Sequence, residues 1–236
     1  MKEVKIQRSK VKSRKCGAAL CVALLLGLPL AGQVAKEANA QYQSPEGRKA
    51  VAAALDAPDR EQTQRPGELP KAMGVTPGMT VADVGTGIGY MLPFLSRAVG
   101  PSGKILAEDI FDDYLAAARQ RSESQHLNNV TFIKGTEKDP KLPENSVDRV
   151  LVLDVYHHFN YPESMLAGIH KALKPDGKLV IVEYYKNEIA LNGRALAHIR
   201  LNRPDVIKEV EANQFHLVSE SERIKDVQYM LVLEKR

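Results

Sequence analysis

Short apolar, β-branched segments alternate with stretches of helical period along most of this chain, and that alternation limits the fold more than any other feature. Strand-like runs occupy 79–84, 104–110, 130–134, 147–154 and 178–183, and helical patterns occupy 90–99, 112–126, 162–173 and 203–212. Strands separated by helices are joined by crossovers, so they lie parallel in one sheet with helices on both faces. Two final strand-like runs, 215–219 and 228–234, follow one another without a good helix between them and are expected to form an antiparallel edge. No internal repeat interrupts the pattern.

The first 40 residues are unlike the rest. They hold eight basic and two acidic side chains, whereas the whole chain has 33 Lys+Arg against 29 Asp+Glu. The remaining 196 residues are therefore slightly acidic, with no basic run to follow a phosphate backbone, and no nucleic-acid partner is expected. A basic stretch at 2–15 precedes an apolar run at 16–32, and Ala38-Asn39-Ala40 follows as a small-x-small site ahead of Gln41. This is the layout of a secretory signal peptide, so 1–40 is read as an export signal to the periplasm or exterior. The alternative is an uncleaved leader that anchors the protein, the only membrane contact expected. Both cysteines, Cys16 and Cys21, lie in this leader, so the body has no thiolate nucleophile, Cys-ligated metal or disulfide.

Residues 41–70 are read as an N-terminal helix followed by a lid or linker. Ser44 and Pro45 suit the start of a helix over 44–57, and Val51, Ala54 and Leu55 form one apolar stripe. The polar stretch 58–70 with three prolines is expected to lie outside the core. The domain proper begins at 71.

Val81-Ala82-Asp83-Val84 is a strand that runs into Gly85-Thr86-Gly87-Ile88-Gly89 and then a helix. Glycines here allow positive φ and let a ligand approach the backbone closely. The dinucleotide pattern G-x-G-x-x-G requires glycine at position 90, which is Tyr90, and Asp83 before the loop repels an anion. The loop therefore suits a cation or an amine. Twenty residues after Gly89, Asp109 ends the second strand, where a carboxylate accepts hydrogen bonds from a ribose diol. Strand alternation is expected to turn Glu108 to the opposite face.

From these residues onward, over 66–236, the sequence resembles the class I S-adenosylmethionine-dependent methyltransferases. The matching positions are Asp83, Gly85, Gly87 and Gly89, then Asp109, then Pro143-Glu144-Asn145-Ser146-Val147-Asp148 leading to a strand that ends at Asp154. The segment Leu173-Lys174-Pro175-Asp176-Gly177 before the fifth strand matches too. The resemblance implies a Rossmann-like three-layer α/β/α sandwich with a seven-stranded, mostly parallel sheet whose last strand is antiparallel. It also implies S-adenosylmethionine as cofactor. Asp83 and the loop, with Thr86, would hold its amino-acid end, Asp109 its ribose and Ile110 its adenine face, with Asp154 also at the site. Where many members place an acid after the third strand, this chain reads Gly135-Thr136-Glu137, leaving the adenine amine to Thr136, a backbone group or Glu137.

Methyl transfer from a sulfonium is an in-line displacement that chiefly needs alignment, and a base only for a protonated, weak acceptor. His157 and His158, just past the fourth strand, are the candidate catalytic groups; adjacent residues of an extended chain cannot both face inward. Together with Asp154 and Glu183 they offer the elements of a divalent metal site, but the sequential acid ligands of catechol methyltransferases are not evident, and no metal is expected. Tyr184 and Tyr185 should border the acceptor side. His198 reads as structural, and Arg200 as a partner for an anionic acceptor. The leading reading is an exported methyltransferase with a small-molecule acceptor. Its rivals are an exported, non-catalytic binding protein on the same scaffold and a nicotinamide-dependent reductase.

Overall fold

Strand β1 (Thr80–Val84) lies at the centre of the sheet because Val81, Ala82 and Val84 are apolar on both faces, and all three are buried. The structure, a computed structural model, describes residues 34–236. The basic stretch, the apolar run and both cysteines of the leader lie outside these residues. Around β1 are β2 (Lys104–Asp109), β3 (Val130–Lys134), β4 (Val147–Leu153), β5 (Leu173–Tyr184), β6 (Phe215–Ile224) and β7 (Gln228–Lys235). They form one seven-stranded sheet in the order β3-β2-β1-β4-β5-β7-β6. The first five strands pair in parallel, and β7 runs antiparallel to both β5 and β6.

Strand alternation divides the core into two layers. Ala82, Val150, Val152, Leu179 and Ile181 face α6 (Pro162–Ala172) and, after the short α7 (Ala195–His198), α8 (Arg203–Ala212), meeting Leu166, Ile169, Val206 and Val210. Val81, Ile105, Ala107, Leu151 and Val180 face α4 (Leu92–Val99), meeting Leu92, Leu95 and Val99. Ala118 brings α5 (Asp112–Ser124) to the same face. The architecture is the expected three-layer sandwich. Fully burying an aliphatic side chain contributes roughly 1.5–3 kcal/mol, so these two layers dominate the favourable free energy of folding.

Local signals set most boundaries. Helix α1 (Pro45–Leu55) starts where Ser44 accepts a hydrogen bond from the Gly47 amide, and Asn202 caps α8 by accepting from Asp205. β5 begins five residues before the expected 178, because Leu173 already pairs with Val147 and the register shifts before Lys178. A β-carbon on Gly177 would lie 2.8 Å from the Val147 carbonyl oxygen, so this irregularity admits only glycine.

The stretch 58–70 departs from expectation. It folds as α2 (Arg60–Gln64), a 3-10 turn (Pro66–Glu68) and α3 (Leu69–Ala72), with Pro66, Leu69 and Pro70 buried. Pro66 and Pro70 occupy first-turn positions, where a missing N–H costs nothing. Leu69 and Met73 then close the α4 side of the core. The buried Arg223 of β6 fastens the segment by donating to the carbonyls of Gln64 and Arg65. Leu69→Ala is therefore expected to cost about 2–5 kcal/mol in denaturant unfolding, as a core truncation does. A loss below about 0.5 kcal/mol, the range of surface substitutions, would return the segment to the role of a loose cover.

Candidate functional site: an acid-lined cavity at the strand ends

The order of strands reverses between β1 and β4, and ligands of open α/β sheets bind outside the carboxyl ends of strands at such a point. Gly85 and Gly87 carry φ values of +71° and +56° there. A β-carbon on Gly85 would lie 2.6 Å from Val155 Cγ1, so the loop position excludes any side chain. The conformation is fixed by the two acids that end β2. The Gly85 amide donates to Glu108 Oε2 at 3.2 Å and the Gly87 amide to Asp109 Oδ2 at 2.9 Å. Asp109 Oδ1 also accepts from the Phe111 amide at 2.9 Å. Glu108 thus turns toward the loop rather than away from it, contrary to simple alternation, and Gly135 makes room for its carboxylate.

A cavity open to solvent, spanning about 1100 Å³ with its mouth, lies over this loop. Asp83, Thr86, Asp109, Ile110 and Asp154 all line it, as do Gly85 and Gly87. Gly89 does not. A β-carbon there would meet Leu92 Cδ1 at 2.9 Å and Ala118 at 3.1 Å, so its role is close packing of α4 on α5. Asp83 accepts from the Thr86 hydroxyl at 2.7 Å, and burial raises its pKa to about 6. Burial raises Asp109 to about 6 also, and Asp154, which has a left-handed φ of 55°, to about 7. Buried Asp83 and Asp109, with the nearly buried Asp154 beside them, make the cavity a cation-seeking site.

At the far end, Thr136 and Glu137 both reach the wall. The Thr136 hydroxyl is engaged in its own turn, accepting from the Lys138 and Asp139 amides. Glu137 accepts from Asn160 Nδ2 at 3.0 Å, while Asn160 Oδ1 is buried with no hydrogen-bond partner.

The histidine pair sits on a 3-10 turn, Tyr156–His158, rather than in extended chain. His158 lines the cavity; His157 points away and is buried. His157 Nδ1 meets Glu183 Oε2 at 2.7 Å, and its Nε2 lies 3.2 Å from Nε2 of His198. Burial pushes the pKa of both His157 and His158 well below the usual histidine range. Arg200 does not point into the cavity: it forms a double ion pair with Glu209 at 2.9 and 2.5 Å.

Several wall residues escaped sequence reasoning. Asn39, Tyr42 and Leu55 close the cavity from the N-terminal segment. The Tyr42 ring stacks on Phe111 and meets His158 edge-on. Arg60, from the stretch read as a linker, lies 3.9 Å above the Tyr90 ring and 4.0 Å from Asp154 Oδ2. It brings one cation to the acidic wall, the complement of a ligand carboxylate.

Residues 82–181 match the family described as "Methyltransferase domain". Among curated proteins, the ubiquinone/menaquinone biosynthesis C-methyltransferase of Shewanella pealeana is 27% identical over 117 residues, covering 49% of this chain and 47% of its own length. The same enzyme of Pseudomonas putida is 29% identical over 123 residues, covering 52% and 48%. The chain thus spans about half the length of the curated relatives it matches. A SAM-dependent methyltransferase from Aquifex aeolicus superposes with a TM-score of 0.73 at 28% identity, over 78% of this chain and 96% of that one. A putative type 11 methyltransferase from Sulfolobus solfataricus, at 22% identity and TM-score 0.59, shows the shared fold over 74% of this chain and 94% of that one. Over 82–181 the chain carries a methyltransferase domain, and it shares the fold of the S-adenosylmethionine-dependent methyltransferases.

S-adenosylmethionine is the cofactor of this family, and the cavity fits it. Its ammonium and sulfonium cations match the buried acids, and its carboxylate matches Arg60. The unpartnered Asn160 Oδ1 and Asp154 Oδ2, the latter with only a distant ion pair, offer acceptors to a ligand. A carboxylate whose pKa is raised loses its charge as pH falls through that value. Cofactor affinity is therefore expected to weaken as pH drops below about 6, where Asp83 takes a proton, and to be weaker but flatter with pH in Asp83→Asn. Calorimetry across that range checks it; equal pH slopes in both proteins would remove Asp83 from the ammonium site.

Proposed function

We propose that the protein transfers the methyl group of S-adenosylmethionine to a small-molecule acceptor that enters beside His158. The cofactor supplies an electrophilic methyl group on a cationic sulfur. Asp83 holds the ammonium, Arg60 the carboxylate and Asp109 the ribose, while Glu137 and Asn160, rather than Thr136, meet the adenine amine. The observation that carries this reading is the set of acids Asp83, Asp109 and Asp154, the first two buried and the third nearly so, around a single cavity at the strand ends. His158 borders the cavity where the acceptor would enter. The named activity of the similar enzymes makes quinone precursors the first acceptors to try. The experiment uses methyl-labelled cofactor with the full chain and a lipid extract, followed by quinol precursors. Label in an extractable product, lost in Asp109→Ala, supports the reading. Tight cofactor binding with no transferred label to any acceptor supports the non-catalytic binding protein instead.

We also propose that the leader directs the protein to the cell envelope and stays attached. Ala35 and Ala38 are buried, at 2% and 5% exposure, and Asn39 makes two hydrogen bonds to His158. Cleavage after Ala40 would discard a piece of the cavity wall, which favours the anchored alternative over a cleaved signal. The intact mass and N-terminal sequence of protein from fractionated cells test this. A membrane-fraction protein retaining Asn39 is expected, and a soluble one beginning at Gln41 would overturn it.

A further inference from the structure

We propose that His157, His158 and His198 form a three-imidazole site for a divalent transition metal at the edge of the cofactor cavity. One nitrogen of each ring lies within 4.8 Å of the others. His157 and His198 present Nε2 atoms 3.2 Å apart. Ligands about 2.0–2.1 Å from a tetrahedral ion are about 3.3 Å from one another, so this pair is already at ligand spacing.

The groups behind the rings fix which nitrogen is available. Glu183 Oε2 accepts from the His157 backbone amide at 3.1 Å and lies 2.7 Å from His157 Nδ1. A carboxylate that serves as acceptor places the proton on Nδ1 and leaves a lone pair on Nε2. Asn39 works in the same way. Its Nδ2 donates to the His158 carbonyl, which orients the amide, so its Oδ1 faces His158 Nδ1 at 2.9 Å and that nitrogen carries the proton. His158 Nε2 is then the lone-pair atom. Metal-bound histidines are held by just such partners on the other ring nitrogen, which set tautomer and basicity.

A proton shared between His157 and His198 explains two of the rings but not the third, with ring centroids 4.0 and 5.4 Å from those of its neighbours. Three nitrogen donors without a directly ligating carboxylate suit zinc, cobalt, nickel or ferrous iron rather than magnesium or calcium. Half-buried His198 leaves the cluster open at its rim, and His158 belongs to both the cluster and the cavity wall. A fourth position on the ion would be open to an acceptor oxygen.

The proposal does not depend on methyl transfer, and its test reads metal alone. The full chain, stripped with chelator, is titrated with cobalt(II) and then zinc, following visible absorption and bound metal by elemental analysis. About one equivalent per chain is expected, with the intense bands of a four-coordinate cobalt site. His198→Gln, at the half-buried position, should abolish the bands, and Asn39→Ala should weaken affinity roughly 10–100-fold. A His126→Gln/His216→Gln double variant, altering histidines outside the cluster, should bind as the parent does. Unchanged cofactor affinity in His198→Gln shows that it has folded. Less than about 0.1 equivalent bound by the parent, or parent-like cobalt binding in folded His198→Gln, would overturn the site.

Discussion

The site depends on two hydrogen bonds, those from the Gly85 and Gly87 amides to Glu108 and Asp109. They tie the end of β1 to the end of β2 and hold the loop in a conformation only glycine adopts easily. They also engage the loop amides that would otherwise meet a pyrophosphate, so one constraint sets both the shape of the floor and the class of ligand it takes. The cost is carried by burial: Glu108 lies at 1% exposure and its pKa is driven well above the usual carboxylate range. Gly135, with no side chain to displace Glu108, and Val155, packed against Gly85, are part of the same arrangement.

The sheet was legible because strand and helix periodicities are local. All seven strands and the four long helices after β1 form where period and composition put them, with β5 and β6 running longer than expected, since each buries a face whose pattern is written within about ten residues. Asp83, Asp109 and Asp154 were legible for a related reason: they end strands, and strand ends of a parallel sheet meet at one place. The proposed export and anchoring stand apart from all of this, since they concern the leader.

What was not legible depends on chain segments meeting at a distance. Arg60 and Leu69 sit in a polar, proline-rich stretch whose local pattern reads as a linker, and only its docking under α4 and β6 brings one to the cavity and the other into the core. Asn39 and Tyr42 stand more than a hundred residues from the His158 they touch. His198 looked structural because nothing in its own neighbourhood shows that His157 lies 3.2 Å away. Glu108 was misplaced by a rule of alternation that holds within a strand and fails at its last residues, where the backbone turns and the Gly85 amide draws the carboxylate over. Conversely, Gly89 fits the loop pattern yet packs two helices, since a glycine spacing records close approach without saying to what.

The most direct test of the account is calorimetric competition between S-adenosylmethionine and NAD on the full chain. The acid-tethered loop predicts that S-adenosylmethionine binds with one site per chain, that Asp109→Asn weakens it, and that NAD neither binds nor displaces it. NAD binding that displaces S-adenosylmethionine, or cofactor affinity indifferent to Asp109→Asn, would contradict the claim that the two loop–acid hydrogen bonds shape the site for S-adenosylmethionine.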